Sequence, residues 1–150
     1  MRLIMTTTAP FISIVAALAA LLVPAPALAQ SFDWSLLKGE WAESTDHNYG
    51  CRPDNLHQKL EVSDDKNTLT FRNDRLWKIG TGQEVERYTA TIVTARENIL
   101  VIKYGPELQG LPEEYRTWEM RFIGPSTYRW RATSWLPNQF NTVIGVKCRQ

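Results

Sequence analysis

The sequence predicts an all-β domain, an antiparallel up-and-down meander barrel of about eight strands, with a short helical turn at its N-terminal end. Apolar and polar residues alternate with a period of two in successive segments, turn residues separate these segments, and no sustained helical stripe follows the first thirty residues. Such alternation gives each strand one buried face and one wet face. A barrel is favoured over a sandwich because sequential hairpins need no crossover and closure removes exposed edges.

The N-terminal segment has the features of a secretory signal peptide. Arg2 precedes an apolar run over residues 11–23, and the Ala-x-Ala cleavage box Ala27–Ala29 follows two prolines. The alternative is an uncleaved membrane anchor, which the prolines and the small residues of the box disfavour. We therefore expect residues 1–29 to be removed. One domain, residues 30–150, would remain in the periplasm or be secreted, with no stable membrane span.

The alternating segments place the strands in chain order. The first strand contains Gly39–Glu43 and follows a helical turn in residues 32–37, which Ser31 or Asp33 is suited to cap. Seven further strands are marked by alternating apolar residues: Leu60 and Val62; Leu69 and Phe71; Tyr88, Ala90 and Ile92; Leu100, Ile102 and Tyr104; Trp118, Met120 and Phe122; Tyr128, Trp130 and Ala132; Ile144, Val146 and Cys148. The pattern also permits a short ninth strand around Trp77–Ile79.

Three connections have distinct signals. Residues 94–98 and Gly124–Ser126 are predicted as tight turns. The longest loop, Gly105–Arg116, contains two glycines and two prolines, and Pro112 is suited to the first position of a second helical turn. A loop of this length in a compact domain is often a lid or a binding loop. We therefore expect it near the mouth of any cavity in the barrel.

The two cysteines, Cys51 and Cys148, stand 97 residues apart. An isolated cysteine pair in an exported chain usually forms a bridge because the compartment is oxidising, so we predict a disulfide. The alternative is a metal site, formed by His47, Cys51 and His57 with an oxygen from Asp46 or Asp54. The spacing matches no compact zinc signature, and a disulfide would consume the thiolate. We expect no metal and no cofactor.

The charge balance disfavours nucleic acid as a partner. Without Arg2 the chain carries 16 basic and 16 acidic residues, and no cluster of lysines and arginines replaces the missing surplus. Charged side chains of the predicted outer face are expected to form cross-strand ion pairs. They are Arg87, Glu119, Arg121, Arg129 and Arg131. A stripe that binds anions or a partner protein is the alternative.

The start of the domain resembles the lipocalin and wider calycin pattern. The resemblance is carried by Gly39 and Trp41, a Gly-x-Trp sequence after the helical turn, together with the strand meander and the pair Cys51 and Cys148. It implies that Trp41 closes one end of the barrel beneath an arginine. Arg149 and Arg131 are the candidates for that arginine.

The strongest signal for function is aromatic, since all six tryptophans and all five tyrosines lie after residue 29. Alternation directs four aromatic rings to one inward face: Tyr88, Tyr104, Trp118 and Trp130. These rings either fill the barrel or line a ligand cavity. No reactive side chain has an obvious activating partner. We therefore predict a monomeric, non-catalytic binding protein for a small, mostly apolar molecule. The alternatives are an envelope interaction or inhibitor module with a filled barrel, and a hydrolase or lyase built around His57.

Overall fold

The computed structural model describes residues 31–44, 50–78 and 82–148, which form a closed antiparallel barrel of eight strands. In chain order the strands are β1 (Glu40–Ser44), β2 (His57–Val62), β3 (Thr68–Lys78), β4 (Glu84–Arg96), β5 (Ile99–Tyr104), β6 (Thr117–Gly124), β7 (Thr127–Ala132) and β8 (Ile144–Lys147). Each strand pairs with the next, and β8 returns to pair with β1. The predicted meander barrel is confirmed. The predicted signal peptide lies outside the described residues.

The helical elements of the described chain are two short 3-10 turns. The first, Trp34–Leu37, begins after Asp33, whose carboxylate accepts a hydrogen bond from the amide of Ser35 at 2.9 Å. The second, Glu113–Tyr115, begins after Pro112, which takes the capping position instead of the first helical position. Neither turn has the length or hydropathy to cross a membrane, and the rest of the described chain holds no such helix.

The structure corrects the predicted ninth strand. The residues around Trp77 continue β3, which runs without interruption to Lys78, while Ile79 lies outside the described residues. A register shift between Arg72 and Trp77 interrupts the pairing of β3 with β4. Because such a bulge changes the face that each side chain takes, the alternation breaks and one strand resembles two in the sequence.

The predicted turn at residues 94–98 is also shorter than expected. Thr94 and Ala95 still belong to β4 and pair with Val101 and Leu100 of β5. A second register shift, between Ile92 and Thr94, disturbs the alternation before the strand ends. The connection itself is the tight turn that follows Arg96, so the β4–β5 hairpin is longer and closes more sharply than predicted.

Trp41, the tryptophan of the Gly-x-Trp sequence, lies in β1 and belongs to the core. Its ring is fully buried, lies 5.0 Å from the ring of Tyr128, and its Nε1 donates a hydrogen bond to the carbonyl of Leu37 at 3.2 Å. The cation over this ring is the ammonium of Lys147, 4.9 Å from the ring centroid and directly across the β1–β8 pairing. Gly39 precedes the strand with a φ of 101°, a conformation that favours glycine.

An arginine was expected above Trp41, and this expectation was wrong for Arg131. The guanidinium of Arg131 pairs instead with Glu119 at 2.9 Å on the outer face. The expectation came from the family resemblance, whereas Arg131 alternates with the inward residues Trp130 and Ala132 and therefore points to the outer face of β7. The other candidate, Arg149, lies outside the described residues.

The predicted disulfide is confirmed and lies where the barrel closes. Cys51 and Cys148 are bonded, with their Cα atoms 5.5 Å apart. The amide of Cys148 also donates a hydrogen bond to the carbonyl of Glu40 at 2.7 Å. The bond therefore ties the chain after β8 to the segment before β2, beside the β1–β8 pairing.

Candidate functional site

A cavity of about 290 Å³ opens into the barrel among aromatic side chains. Four of its lining residues are the rings predicted from alternation, one each from β4, β5, β6 and β7: Tyr88, Tyr104, Trp118 and Trp130. The curvature of the sheet brings these four strands around one space. The four rings therefore meet at one site, although they are spread over more than forty residues of sequence.

The same rings also pack against one another and against the core. Tyr88 stacks on Phe71 with ring centroids 4.6 Å apart and an angle of 6° between the planes. Trp118 meets Trp130 edge to face at 6.4 Å. The aromatic interior is therefore packed in part and also leaves a small open space, which combines features of a filled barrel and of a lined cavity.

The Gly105–Arg116 loop lies beside this cavity and is held in place by hydrogen bonds. Leu108 and Leu111 line the cavity, and Leu108 is buried. The Arg116 guanidinium donates hydrogen bonds to the carbonyls of Gly105 at 2.8 Å and Leu108 at 3.2 Å. One side chain therefore fixes the loop with its leucines turned toward the cavity.

A carboxylate, Glu43, also lines the cavity, and the sequence analysis missed it. Its Oε1 accepts hydrogen bonds from the Nε1 of Trp130 at 2.8 Å and from the hydroxyl of Tyr128 at 3.1 Å. The same hydroxyl accepts a hydrogen bond from the Nε2 of Gln58 at 3.1 Å. The sequence does indicate that Glu43 points inward, because it stands two positions after the inward Trp41 and residues two apart in a strand share a face.

The tyrosine hydroxyls around Glu43 remain protonated at neutral pH. Burial raises the pKa of Tyr88 and of Tyr104, and the negative charge of Glu43 raises both further. Burial likewise raises the pKa of Tyr128, with Glu43 as the next cause. Since a neutral phenol donates a hydrogen bond as well as accepting one, the site offers one carboxylate among neutral donors.

His57 does not line this cavity, although the preceding Leu56 does, and both of its ring nitrogens face acceptors. Its Nδ1 lies 2.6 Å from Oε1 of Glu40, and its Nε2 lies 3.0 Å from the carbonyl of Arg52. The hydrogen bond to Glu40 is the main cause that raises the pKa of His57. A ring held in this way favours the doubly protonated form and presents no free nitrogen to a substrate.

The metal alternative loses its sulfur ligand to the disulfide. Potential ligand atoms of Glu40, His57 and Cys148 lie within 4.8 Å of one another, but the Cys148 sulfur is bonded to Cys51 and is not a thiolate. Asp54 pairs with Arg52 at 3.1 Å. The remaining candidates, Asp46 and His47, lie outside the described residues.

The charged outer face contains the predicted cross-strand ion pair. Glu119 is buried and pairs with Arg131 of the neighbouring strand and with Arg121 of its own strand, each at 2.9 Å. Arg129 lies over the ring of Phe140 at 4.8 Å. Arg87 is exposed. Three of the five charged residues therefore form one compact cluster instead of an open basic stripe.

Comparison of the chain with protein-family models, with curated proteins and with solved structures finds no match in any of the three. The resemblance to lipocalins is thus supported in architecture alone, by the closed eight-stranded barrel and by the disulfide. Membership of the lipocalin family stays a prediction.

Proposed function

We propose that the mature chain is an exported, monomeric, non-catalytic binding protein that takes a small, mostly apolar ligand into the barrel. The observation that carries the proposal is the cavity of about 290 Å³ lined by rings from four strands. Small-molecule sites are concave and mostly apolar with a few placed polar groups, and they usually span ~300–1,000 Å³. A cavity at the low end of this range fits a compact ligand.

The walls of the cavity are fixed before a ligand arrives. The Nε1 of Trp130 is bonded to Glu43, and the Nε1 of Trp118 donates to the carbonyl of Tyr115 at 2.7 Å. Tyr88 is held by its stacking on Phe71. Because these rings need little ordering on binding, less of the gained contact energy is lost to conformational entropy.

An interaction module is the second candidate, and one observation favours it. Trp77, near the end of β3, lines the cavity and is 40% exposed, and Leu76 before it in the sequence is 64% exposed. Exposed apolar surface on a protein often marks a binding site for another protein. The hydrolase or lyase alternative has less support, because both ring nitrogens of His57 are engaged.

A fluorescent probe tests the proposal directly. We expect N-phenyl-1-naphthylamine, an uncharged apolar fluorophore, to bind one to one and to quench tryptophan emission. Trp118→Ala should weaken this binding roughly tenfold or more because it removes a wall of the cavity. Added salt should change the affinity little, since burial of apolar surface drives the binding.

The matched control is Arg87→Ala, which removes an exposed side chain from the outer face of β4. It should leave probe affinity unchanged. Absence of saturable binding by the folded wild-type protein would overturn the binding proposal and favour the interaction module.

A further inference from the structure

We propose that the ligand of the barrel carries a protonated amine, which the Glu43 carboxylate holds between the aromatic walls. This inference rests on the proposed binding function and narrows its substrate class from apolar molecules in general to compact organic cations. It starts from the position of Glu43, which lines the cavity on the face of β1 that otherwise holds the buried Trp41.

Within the part of the chain that the structure describes, hydrogen-bond donors reach one of the two carboxylate oxygens of Glu43. Both donors, the hydroxyl of Tyr128 and the Nε1 of Trp130, reach Oε1. Within residues 31–44, 50–78 and 82–148, no donor reaches Oε2. A carboxylate oxygen that lines a cavity and lacks a donor is a ready acceptor for an N–H group of a ligand.

Among the residues that the structure describes, the charge of Glu43 has no ion-pair partner of opposite sign. Its hydrogen-bond donors, the Tyr128 hydroxyl and the Nε1 of Trp130, are neutral, and so is Gln58, which donates to the Tyr128 hydroxyl. Glu43 is partly buried, and a charge that is partly removed from water is stabilised by a partner of opposite sign. A cationic ligand would supply that partner.

The aromatic walls suit the same ligand. The faces of tryptophan and tyrosine rings attract cations, an effect that strengthens when water is excluded. Tyr88, Tyr104, Trp118 and Trp130 surround the space beside Glu43. An ammonium group on a short apolar body therefore meets attraction from the carboxylate and from the rings, while the body buries apolar surface.

Lys78 is the other charged residue that lines the cavity, and it makes the competing case for an anionic ligand. Lys78 is the last residue of β3, and it is exposed to solvent. Water and salt screen a charge in that position much more than they screen a charge inside the barrel. The geometry therefore favours a cation at Glu43 over an anion at Lys78.

The experiment compares three molecules of similar shape and different charge: phenethylamine, 2-phenylethanol and 3-phenylpropionate. Displacement of N-phenyl-1-naphthylamine at neutral pH, where an alkylammonium stays protonated, gives their affinities. We expect phenethylamine to bind at least tenfold more tightly than the alcohol, and the carboxylate to bind most weakly. Added salt should reduce this difference.

Glu43→Gln isolates the charge, since its amide oxygen still accepts from Tyr128 and Trp130. This variant should bind the amine and the alcohol with similar affinity and leave the alcohol's affinity unchanged. Glu86→Gln is the matched control, because Glu86 is exposed on β4, and it should keep the preference for the amine.

The outcomes separate this inference from the proposed function. Equal affinities for amine and alcohol, with the fluorophore still bound, would overturn the amine proposal and leave the binding function standing. Tighter binding of the carboxylate would also overturn it and assign specificity to Lys78. If Glu43→Gln does not fold, the charge series on the wild-type protein alone decides the question. If neither fluorophore nor amine binds, both proposals fail.

Discussion

Gly145 has no room for a side chain, because a Cβ at this position would overlap the ring of Tyr128. That ring is fully buried and joins Gln58 to Glu43 through its hydroxyl. Gly145→Ala should lower the free energy of unfolding by about 1–3 kcal/mol, as overpacking of a core usually does. Urea unfolding monitored by tryptophan fluorescence measures the change.

Gly124→Ala is the control for this prediction. A Cβ at Gly124 has no atom within 4 Å, so the substitution should be nearly neutral. If Gly145→Ala is as nearly neutral as Gly124→Ala, the ring of Tyr128 moves away at little cost and is not fixed beside Glu43.

His57 should make stability depend on pH. Its hydrogen bond to Glu40 raises its pKa in the folded state, burial opposes the rise, and the Arg52 carbonyl and the charges of Glu40 and Asp74 add to it. The unfolded value is about 6.5. The protonated ring therefore stabilises the fold fully below the unfolded pKa, and this contribution is lost as the pH rises through the folded pKa.

Two variants test this pH dependence. His57→Gln should remove the decline in unfolding free energy between the unfolded and the folded pKa of His57. Glu40→Gln should lower the pKa of His57 measured by NMR titration. A folded pKa of His57 at or below about 6.5 in the wild type would contradict the prediction.

At the scale of elements, the disulfide and β8 stabilise the same part of the barrel. β8 has four residues, and Cys148 directly follows it. Cys51→Ser combined with Cys148→Ser should cost roughly 2–5 kcal/mol, because the bond closes a long loop of the unfolded chain. Hydrogen exchange should show faster opening of β8 and β1 than of the long β4–β5 hairpin. Uniform acceleration across all strands would contradict this localisation.

Alternation predicted most elements well and failed where the backbone is irregular. β6 and β7 were predicted nearly to the residue because Trp118–Phe122 and Tyr128–Ala132 alternate without interruption. β3 and β4 were misjudged, since each has a register shift inside the strand, whereas the shift in β6 falls near its end, between Phe122 and Gly124. A bulge depends on pairing with the neighbouring strand, so a single strand's sequence does not reveal it.

At the scale of the whole molecule, the sequence revealed which rings face inward but not the polar chemistry among them. Glu43 was overlooked because a charged residue is normally assigned to the wet face. Its inward position follows from alternation with Trp41, two positions earlier in β1, and the closed barrel places it opposite Gly145. The cation above Trp41 was missed for a similar reason, since Lys147 comes to the ring only when the barrel closes.

The closure of the barrel imposes an order on folding. Seven of the eight strand pairings in the described barrel join neighbours in sequence, so each can form as a local hairpin. The remaining pairing must bring Trp41 to Lys147 and bears the largest loss of chain entropy, so we expect it to be the slow, late step. Because the Cys51–Cys148 bond lies beside this pairing, we expect it to form after that step. Once formed, the disulfide keeps the segment after β1 close to the end of β8. An unfolded chain that retains this bond therefore loses less entropy when β1 and β8 pair again.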